Sequence, residues 1–488
     1  MSPPGQGPTL PGLGRGVALS AAARAVQLVL SFVMLAVVGR LIGAEAYGIY
    51  ALALVAVSIG DIVVGGGLTD SLVQRTDVTR GHEDASFLCT VLSGTALWAA
   101  GWALSGSAGT LFGEPQVGAL LPVLLLVLPI MGIGAVPFAR LQRGLRFGAI
   151  AGIDSATAIT SALLGIGLIL AGFGLWSLVV AELLRVTARS AVLLAVARYR
   201  PGLSGRPHHI AELFRFNAGT LGVRTLGVVD RILPRVLIGA LLGAQALGFY
   251  AIAWRLYEQM NALLIHPLNA LAMPIAARAQ DNPQVLQVLL ARAIRLSSAI
   301  AFPAYLGLAT IAPTLVPMIV GPGWQPAVAC MQIMLLLGLR APMNAFNSGV
   351  LRGLGRPDLQ ALTLAIGTAM TLVLVPLAAP QGLIAVTLVV TTRRFVTWPL
   401  GARQVQRLTG FDWRGQTREA APTLAAALVM VAAVAALEWA LADKVTAVPL
   451  LLLAVSAGGT VYVLALALLA PAHLRDLRDR LVPLLRMT

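Results

Sequence analysis

What most limits the folds open to this chain is a succession of apolar runs that fills the sequence almost from end to end. Cut at glycine, proline and charge clusters, they cover residues 16–42, 46–70, 86–108, 117–139, 148–171, 174–197, 215–241, 246–276, 292–319, 325–351, 359–379, 382–402, 419–441 and 446–470. About 20 apolar residues in a helix cross the hydrocarbon core of a bilayer. The pattern therefore predicts an all-α, polytopic membrane protein of about 14 transmembrane helices with no soluble globular part. Composition agrees: only 11% of the residues are charged, against roughly 25% in soluble domains. The runs 246–276 and 292–319 are longer than a crossing needs, which implies tilt, kinks or protrusion into water. Pro267, Pro274, Pro303 and Pro313 are the natural places for breaks.

The connections between runs alternate in charge. One set carries Arg75 and Arg80; Arg140, Arg143 and Arg146; Arg198, Arg200, Arg206 and Arg215; Arg278 and Arg292; Arg352 and Arg356; Arg403 through Arg418; and the tail RDLRDRLVPLLR. The other set is IGAEA, GSAGTLFGEPQ, AGFG, LGAQA, GPGWQP, APQG and LADKVT, with Lys444 as its one basic residue. Arginine-rich loops stay in the cytoplasm, so both termini fall inside and the number of crossings is even. The formal charge of +15 thus serves topology and anionic lipid. It is dispersed among apolar segments rather than gathered on a folded face, which argues against nucleic acid. The first fifteen residues, rich in proline and glycine, read as a disordered cytoplasmic tail rather than a signal peptide.

An internal repeat is legible. GRLIGAEAYGIYALA (39–53) matches GALLGAQALGFYAIA (239–253) at nine of fifteen positions with an offset of 200. Arg15/Arg215, Ala18/Ala218, Arg24/Arg224 and Val29/Val229 extend it upstream, and Arg143-Gly144-Leu145 echoes in Arg352-Gly353-Leu354 at offset 209. The repeat unit is six helices. An even number of crossings gives both copies the same orientation, so they should be related by a pseudo-twofold axis along the membrane normal. The predicted organisation is a tail (1–15), an N-lobe of six helices (16–199), a cytoplasmic linker (200–214), a C-lobe of six helices (215–408), and two appended helices with a cytoplasmic tail (409–488). A cleft between two such lobes is the default place for a substrate.

Charges deep in apolar spans are costly and tend to face a cavity or a partner. In the seventh span Arg224, Arg231 and Arg235 recur at i, i+7 and i+11, within about 20° of one direction on a helix. Asp230 flanks that stripe, and Pro234 frees the Asp230 carbonyl, since a proline has no N–H to donate to residue i−4. The eighth span places Arg255, Glu258, Gln259 and His266 on one face, beside Trp254 and Tyr257. Arg24 is the repeat partner of Arg224, Arg340 lies mid-span in the tenth run, and Arg393-Arg394 lie mid-span in the twelfth. The candidate cavity residues are Arg24, Arg224, Arg231, Arg255, Asp230, Glu258 and Arg340. The bland alternative is structural pairing, Glu258 with Arg255, or Asp230 and Asp61 with an arginine of another helix. Arg40, Arg185 and Arg189 read as end-of-span arginines that snorkel. A basic cavity suits an amphiphile with an acidic head, because the guanidinium fork matches phosphate and keeps its charge when desolvated.

No phosphate-binding loop of the Walker type is present, so ATP hydrolysis by this chain is not expected. Two cysteines, Cys89 and Cys330, sit inside apolar runs, and His208-His209 reads as a solvated loop pair. No metal site and no cofactor are expected.

The turn GRLIGAEAYGIYALA, the segment DRILPRVLIGALLGAQALGFYAIAWRLYEQM, the stretch LQRGLRFG and the six-plus-six duplication together resemble a bacterial polysaccharide or O-antigen flippase of the multidrug/oligosaccharidyl-lipid/polysaccharide exporter superfamily. That resemblance implies export of a lipid-linked oligosaccharide, typically on undecaprenyl diphosphate, across the inner membrane by alternating access. It implies no enzymatic activity, and polysaccharide polymerase or glycosyltransferase machinery as partners. The family's cavity arginines map onto Arg24, Arg224 and Arg255. In the first lobe the repeat partners of Arg231, Arg235 and Arg255 are Ser31, Leu35 and Val55, so the basic character sits mostly in the second lobe. A cation-coupled multidrug exporter should show 12 spans and an acidic cavity. A membrane polymerase or ligase should show a sizeable outward loop.

Overall fold

A computed structural model describes residues 26–471, apart from 28, 66–67, 203, 279–281 and 442–443. The described residues are helical with short turns and include no strand. The helices are α1 (Val29–Leu41), α2 (Ala44–Gly65), α3 (Leu68–Gln74), α4 (Arg80–Ala103), α5 (Ser105–Leu111), α6 (Pro115–Leu124), α7 (Val127–Arg143), α8 (Phe147–Leu170), α9 (Trp176–Ala197), α10 (Pro207–Leu264), α11 (His266–Arg278), α12 (Pro283–Val320), α13 (Gln325–Leu335), α14 (Ala341–Gly353), α15 (Pro357–Ala378), α16 (Leu383–Thr409), α17 (Trp413–Leu441) and α18 (Ala447–Leu469). Among the described residues, eleven helices are long and apolar enough to cross a membrane. The chain is an all-α, multi-pass membrane protein.

Local chemistry sets many helix ends. Proline stands at the first position of α6, α12 and α15, where its missing N–H would have had no helical partner. Asn282 caps α12 by accepting the Val285 N–H at 3.1 Å. Prolines inside the spans behave differently from the expectation. Pro274, Pro303 and Pro313 lie within unbroken helices, and the break near 265 comes just ahead of Pro267, between α10 and α11. A proline removes one hydrogen bond of the ladder, and in a packed bundle the helix continues past it.

The chain forms two compact units that divide at Arg224–Thr225, inside α10. In the first, α4 packs on α7, α7 on α9 and α8 on α9. Small residues permit this: a Cβ on Gly132 would lie 2.7 Å from the Thr90 carbonyl oxygen, and one on Gly94 2.8 Å from the backbone of Leu128. Lipid chains are as apolar as leucine, so close backbone approach and interhelical hydrogen bonds replace the aqueous hydrophobic drive. The Thr90 hydroxyl hydrogen-bonds the Gly132 carbonyl at 3.1 Å accordingly. In the second unit α12 packs on α17, α17 on α18, α11 on α14 and α15 on α16. The last two helices are tied in by polar contacts: Arg295–Glu419 at 2.8 Å, reciprocal amide bonds between Asn347 and Gln416 at 3.1 and 3.0 Å, and Tyr462 Oη to the Ala299 carbonyl at 2.6 Å.

The internal repeat reappears as backbone geometry. Gly43 and Gly243, partners at offset 200, have φ +86° and +85°, a left-handed conformation in which a side chain would be strained. Matching turns later in each unit hold left-handed residues in the same order: Gly113 and Gly321, Leu145 and Gly355, Gly172 and Gly174 against Gly382, Arg198 and Gly410. The second echo shifts by one residue. Gly144, Leu145 and Arg146 N–H groups donate to the carbonyls of Arg140, Gln142 and Leu141, whereas Leu354, Gly355 and Arg356 donate to Val350, Arg352 and Leu351. The turns therefore superpose at offset 210, not at the 209 suggested by the shared Arg-Gly-Leu, because the left-handed residue rather than the glycine letter sets the register.

Candidate functional site: a buried arginine cluster

In the second unit α10 and α16 bring together charges far apart in sequence. Asp230 is buried, and its Oδ1 accepts from Arg393 Nη1 at 2.6 Å while its Oδ2 accepts from Arg394 Nη2 at 3.3 Å. Pro234 leaves the Asp230 carbonyl without its usual helical donor, and Arg393 Nη2 donates to that carbonyl at 3.4 Å. One residue thus offers both its carboxylate and a freed backbone oxygen to one guanidinium. Gly367 makes room: a Cβ there would lie 2.8 Å from Arg393 Nη1.

Further positive charge surrounds the pair. The guanidinium of Arg394 sits 5.2 Å from the Trp254 ring centroid and that of Arg235 sits 5.7 Å from it. Trp254 in turn stacks on Tyr250 at 12° between planes and touches Tyr257. Arg340, whose Nη1 donates to Asn344 Oδ1 at 3.2 Å, lies within electrostatic range of Asp230, Arg393 and Arg394. Arg340, Arg393 and Arg394 thus face the one carboxylate of Asp230, and their buried Nε groups have no acceptor among the described residues. Buried guanidinium donors are expensive in apolar surroundings unless an anion completes them. Arg393 and Arg394 were visible as mid-span charges, but nothing local could name a carboxylate 163 residues away as their partner.

The other predicted residues are dispersed. Arg24 lies outside the described residues. Arg224 Nη1 bonds Asp70 Oδ2 at 2.8 Å within the first unit. Arg231 is exposed and Arg255 half-buried on α10. Glu258 Oε1 lies 3.4 Å from His266 Nε2. The basic stripe of Arg224, Arg231 and Arg235 is thereby spread over three environments.

A second polar cluster ties the segment 199–213 to the first unit. Asp84 accepts from Tyr199 Oη at 2.9 Å, from the Gly202 N–H at 3.2 Å and from Ser204 Oγ at 2.5 Å. Glu212 accepts from Arg75 at 2.7 Å and lies 3.2 Å from His82 Nε2. Its hydrogen bonds from Arg75 and His82 hold its carboxyl below the usual glutamate range. His209 departs from the solvated-loop reading: its ring lies 4.6 Å from that of His82. Burial, with His208 and His82 beside it, lowers its pKa. Among the described residues no group of His, Cys, Asp or Glu could hold a metal ion.

Residues 37–329 match the family described as polysaccharide biosynthesis protein. The chain is 23% identical over 350 residues to the lipopolysaccharide biosynthesis protein WzxC of Escherichia coli (strain K12), a match that covers 70% of each chain. It is 25% identical over 348 residues to the succinoglycan biosynthesis transport protein ExoT of Rhizobium meliloti (strain 1021), covering 70% of this chain and 69% of that one. Among solved structures, the lipid II flippase MurJ in an inward closed conformation superposes with a TM-score of 0.76 at 12% identity, covering 92% of this chain and 98% of that one. An inward-facing multidrug resistance transporter of the MATE family reaches 0.59 at 15% identity, over 79% and 96%. These two likenesses establish the fold. With the family match spanning more than half its length, this chain belongs to the polysaccharide biosynthesis protein family.

Proposed function

We propose that the protein is a transporter that flips a lipid-linked oligosaccharide, carried on an undecaprenyl diphosphate, from the cytoplasmic to the outer leaflet of the inner membrane for surface polysaccharide synthesis. The observation that carries this reading is the cluster of Arg340, Arg393 and Arg394 around the carboxylate of Asp230. Its surplus charge suits a diphosphate head and repels a cationic drug. Membership in a polysaccharide biosynthesis family supports the same class of substrate. Alternating access moves the polar head while the lipid tail stays in the bilayer. Arg24, Arg224, Arg231, Arg255 and Glu258 are proposed to line the path, and the polymerase and glycosyltransferases of the same glycan are its proposed partners.

In this reading the chain crosses the membrane fourteen times with both termini in the cytoplasm. Residues 16–199 and 215–408 form the repeated lobes, 200–214 the linker, and 409–488 the appended helices and tail. Cysteine labelling at 205, 283 and 412 should report cytoplasm and at 110, 322 and 444 the outside; one side for both 412 and 444 would rule out fourteen crossings. Deletion of the gene should trap a lipid-linked oligosaccharide on the inner leaflet and abolish the surface glycan. Normal glycan with new drug sensitivity would instead establish a multidrug exporter.

A further inference from the structure

Each unit places an arginine of its sixth repeat helix within electrostatic range of a tyrosine of its second. Counted from the opening turns Gly174-Leu175 and Gly382-Leu383, an offset of 208 pairs Arg185 of α9 with Arg393 of α16. The offset of 200 separately pairs Tyr50 of α2 with Tyr250 of α10. Arg185 lies within electrostatic range of Tyr50, and Arg393 within that of Tyr250. Two registers fixed at different turns therefore converge on one equivalent pair of residues.

The counter-ions do not follow the repeat. Arg185 is held by Glu182, with Nε to Oε2 at 2.9 Å and a second bond from Nη2 to Oε1, and the repeat position of Glu182 is Val390. Arg393 is held by Asp230, whose repeat position is Leu30. The cation and the tyrosine are what the two copies share, while each copy recruits a carboxylate from a different helix. A purely structural ion pair would be expected to recur as a pair. Arg185 is also no end-of-span arginine: it is the tenth of 22 residues in α9, about 14 Å along the axis from the first. Its side chain is 40% exposed, against 2% for Arg393.

We propose that Arg185 contacts the phosphate of the transported head group in the first unit, as the counterpart of Arg393 in the second, with Glu182 as the internal counter-ion that the anion displaces. This rests on the flippase reading. The displacement conserves charge: the guanidinium exchanges one anionic partner for another, and the released carboxylate turns to water or takes up a proton.

The test uses the full-length chain expressed in a strain deleted for its own gene, with surface glycan and membrane levels measured together. Arg185→Gln should lower glycan export about tenfold to a hundredfold at unchanged protein level, the range expected for one charge-assisted contact. Arg185→Lys should recover only part of it, because lysine keeps the charge and loses the fork. The decisive variant is Glu182→Gln with Arg185→Gln, which removes both charges and so repairs any fault of simple neutrality. Export should stay low in that double variant, and purified protein should lose most of its thermal stabilisation by farnesyl diphosphate. Full export by the double variant, or unchanged stabilisation by farnesyl diphosphate, would overturn the assignment and leave the pair structural. If instead the deletion strain keeps its glycan, the flippase reading itself falls, a result independent of any substitution at Arg185.

Discussion

Replacing Asp230 with Asn keeps an oxygen for Arg393 and removes the charge opposing two guanidinium groups. The side chains of Asp230, Arg393 and Arg394 are 10%, 2% and 14% exposed, so solvent screens little of the loss. Breaking a buried pair from one side costs about 3–5 kcal/mol, because the remaining charge is left uncompensated. Asparagine still accepts the hydrogen bond, which places the expected cost near the lower end, about 3 kcal/mol. For a unit of this size each kcal/mol moves the midpoint by ~2–4 °C, so a fall of about 6–12 °C is expected. The assay is thermal unfolding of purified protein in one detergent, followed by intrinsic fluorescence. Adding Arg393→Gln to Asp230→Asn should recover more than half of the loss, since the double variant buries one uncompensated charge fewer. A single variant as stable as the parent would refute the argument, as would a double variant that loses the sum of two independent penalties.

Three further outcomes are expected. Gly367→Ala should push the Arg393 guanidinium off Asp230, since the added Cβ would stand 2.8 Å from Nη1; the loss of about 1–3 kcal/mol should disappear in an Arg393→Gln background, measured by the same unfolding assay. Gly43→Ala and Gly243→Ala meet no atom within 4 Å but sit at φ +86° and +85°, so each should lose about 1–2 kcal/mol from backbone strain alone, whereas Gly152→Ala, in open space on α8, should be neutral or stabilising. Both His209 and Glu212 are held below their ordinary pKa values, so the folded state favours their deprotonated forms. Their contribution is full above the unfolded values and is lost as pH falls through the folded ones. Hydrogen exchange across 199–212, corrected for intrinsic rate, should therefore rise on going from about pH 7.5 to about pH 5.5 as His209 takes up a proton, within reach of an imidazole's ordinary ~6.5. Arg206, His208, His82 and Glu212 are the charged or titratable groups around it, and equal protection at the two pH values would refute the coupling.

The membrane class, the helices and the duplication were legible in the letters because each depends on short-range pattern. Apolar length sets a helix that can cross a bilayer, and the glycines at 43 and 243 mark turns that need a left-handed residue. Even the freed carbonyl of Asp230 was foreseeable from Pro234 four residues on. What only the tertiary structure decided is which charges meet. Helical periodicity placed Arg224, Arg231 and Arg235 on one stripe, yet Arg224 reaches Asp70, Arg231 is exposed and Arg235 lies over Trp254. A helix face has a direction but no knowledge of its neighbour. Asp230 finds Arg393 and Arg394 only because α10 and α16 come together, and the repeat positions Arg185 and Arg393 end on different carboxylates, Glu182 and Asp230. Apolar patterning is a property of each segment against lipid, whereas the partner of a buried charge is a property of packing between segments far apart in the chain.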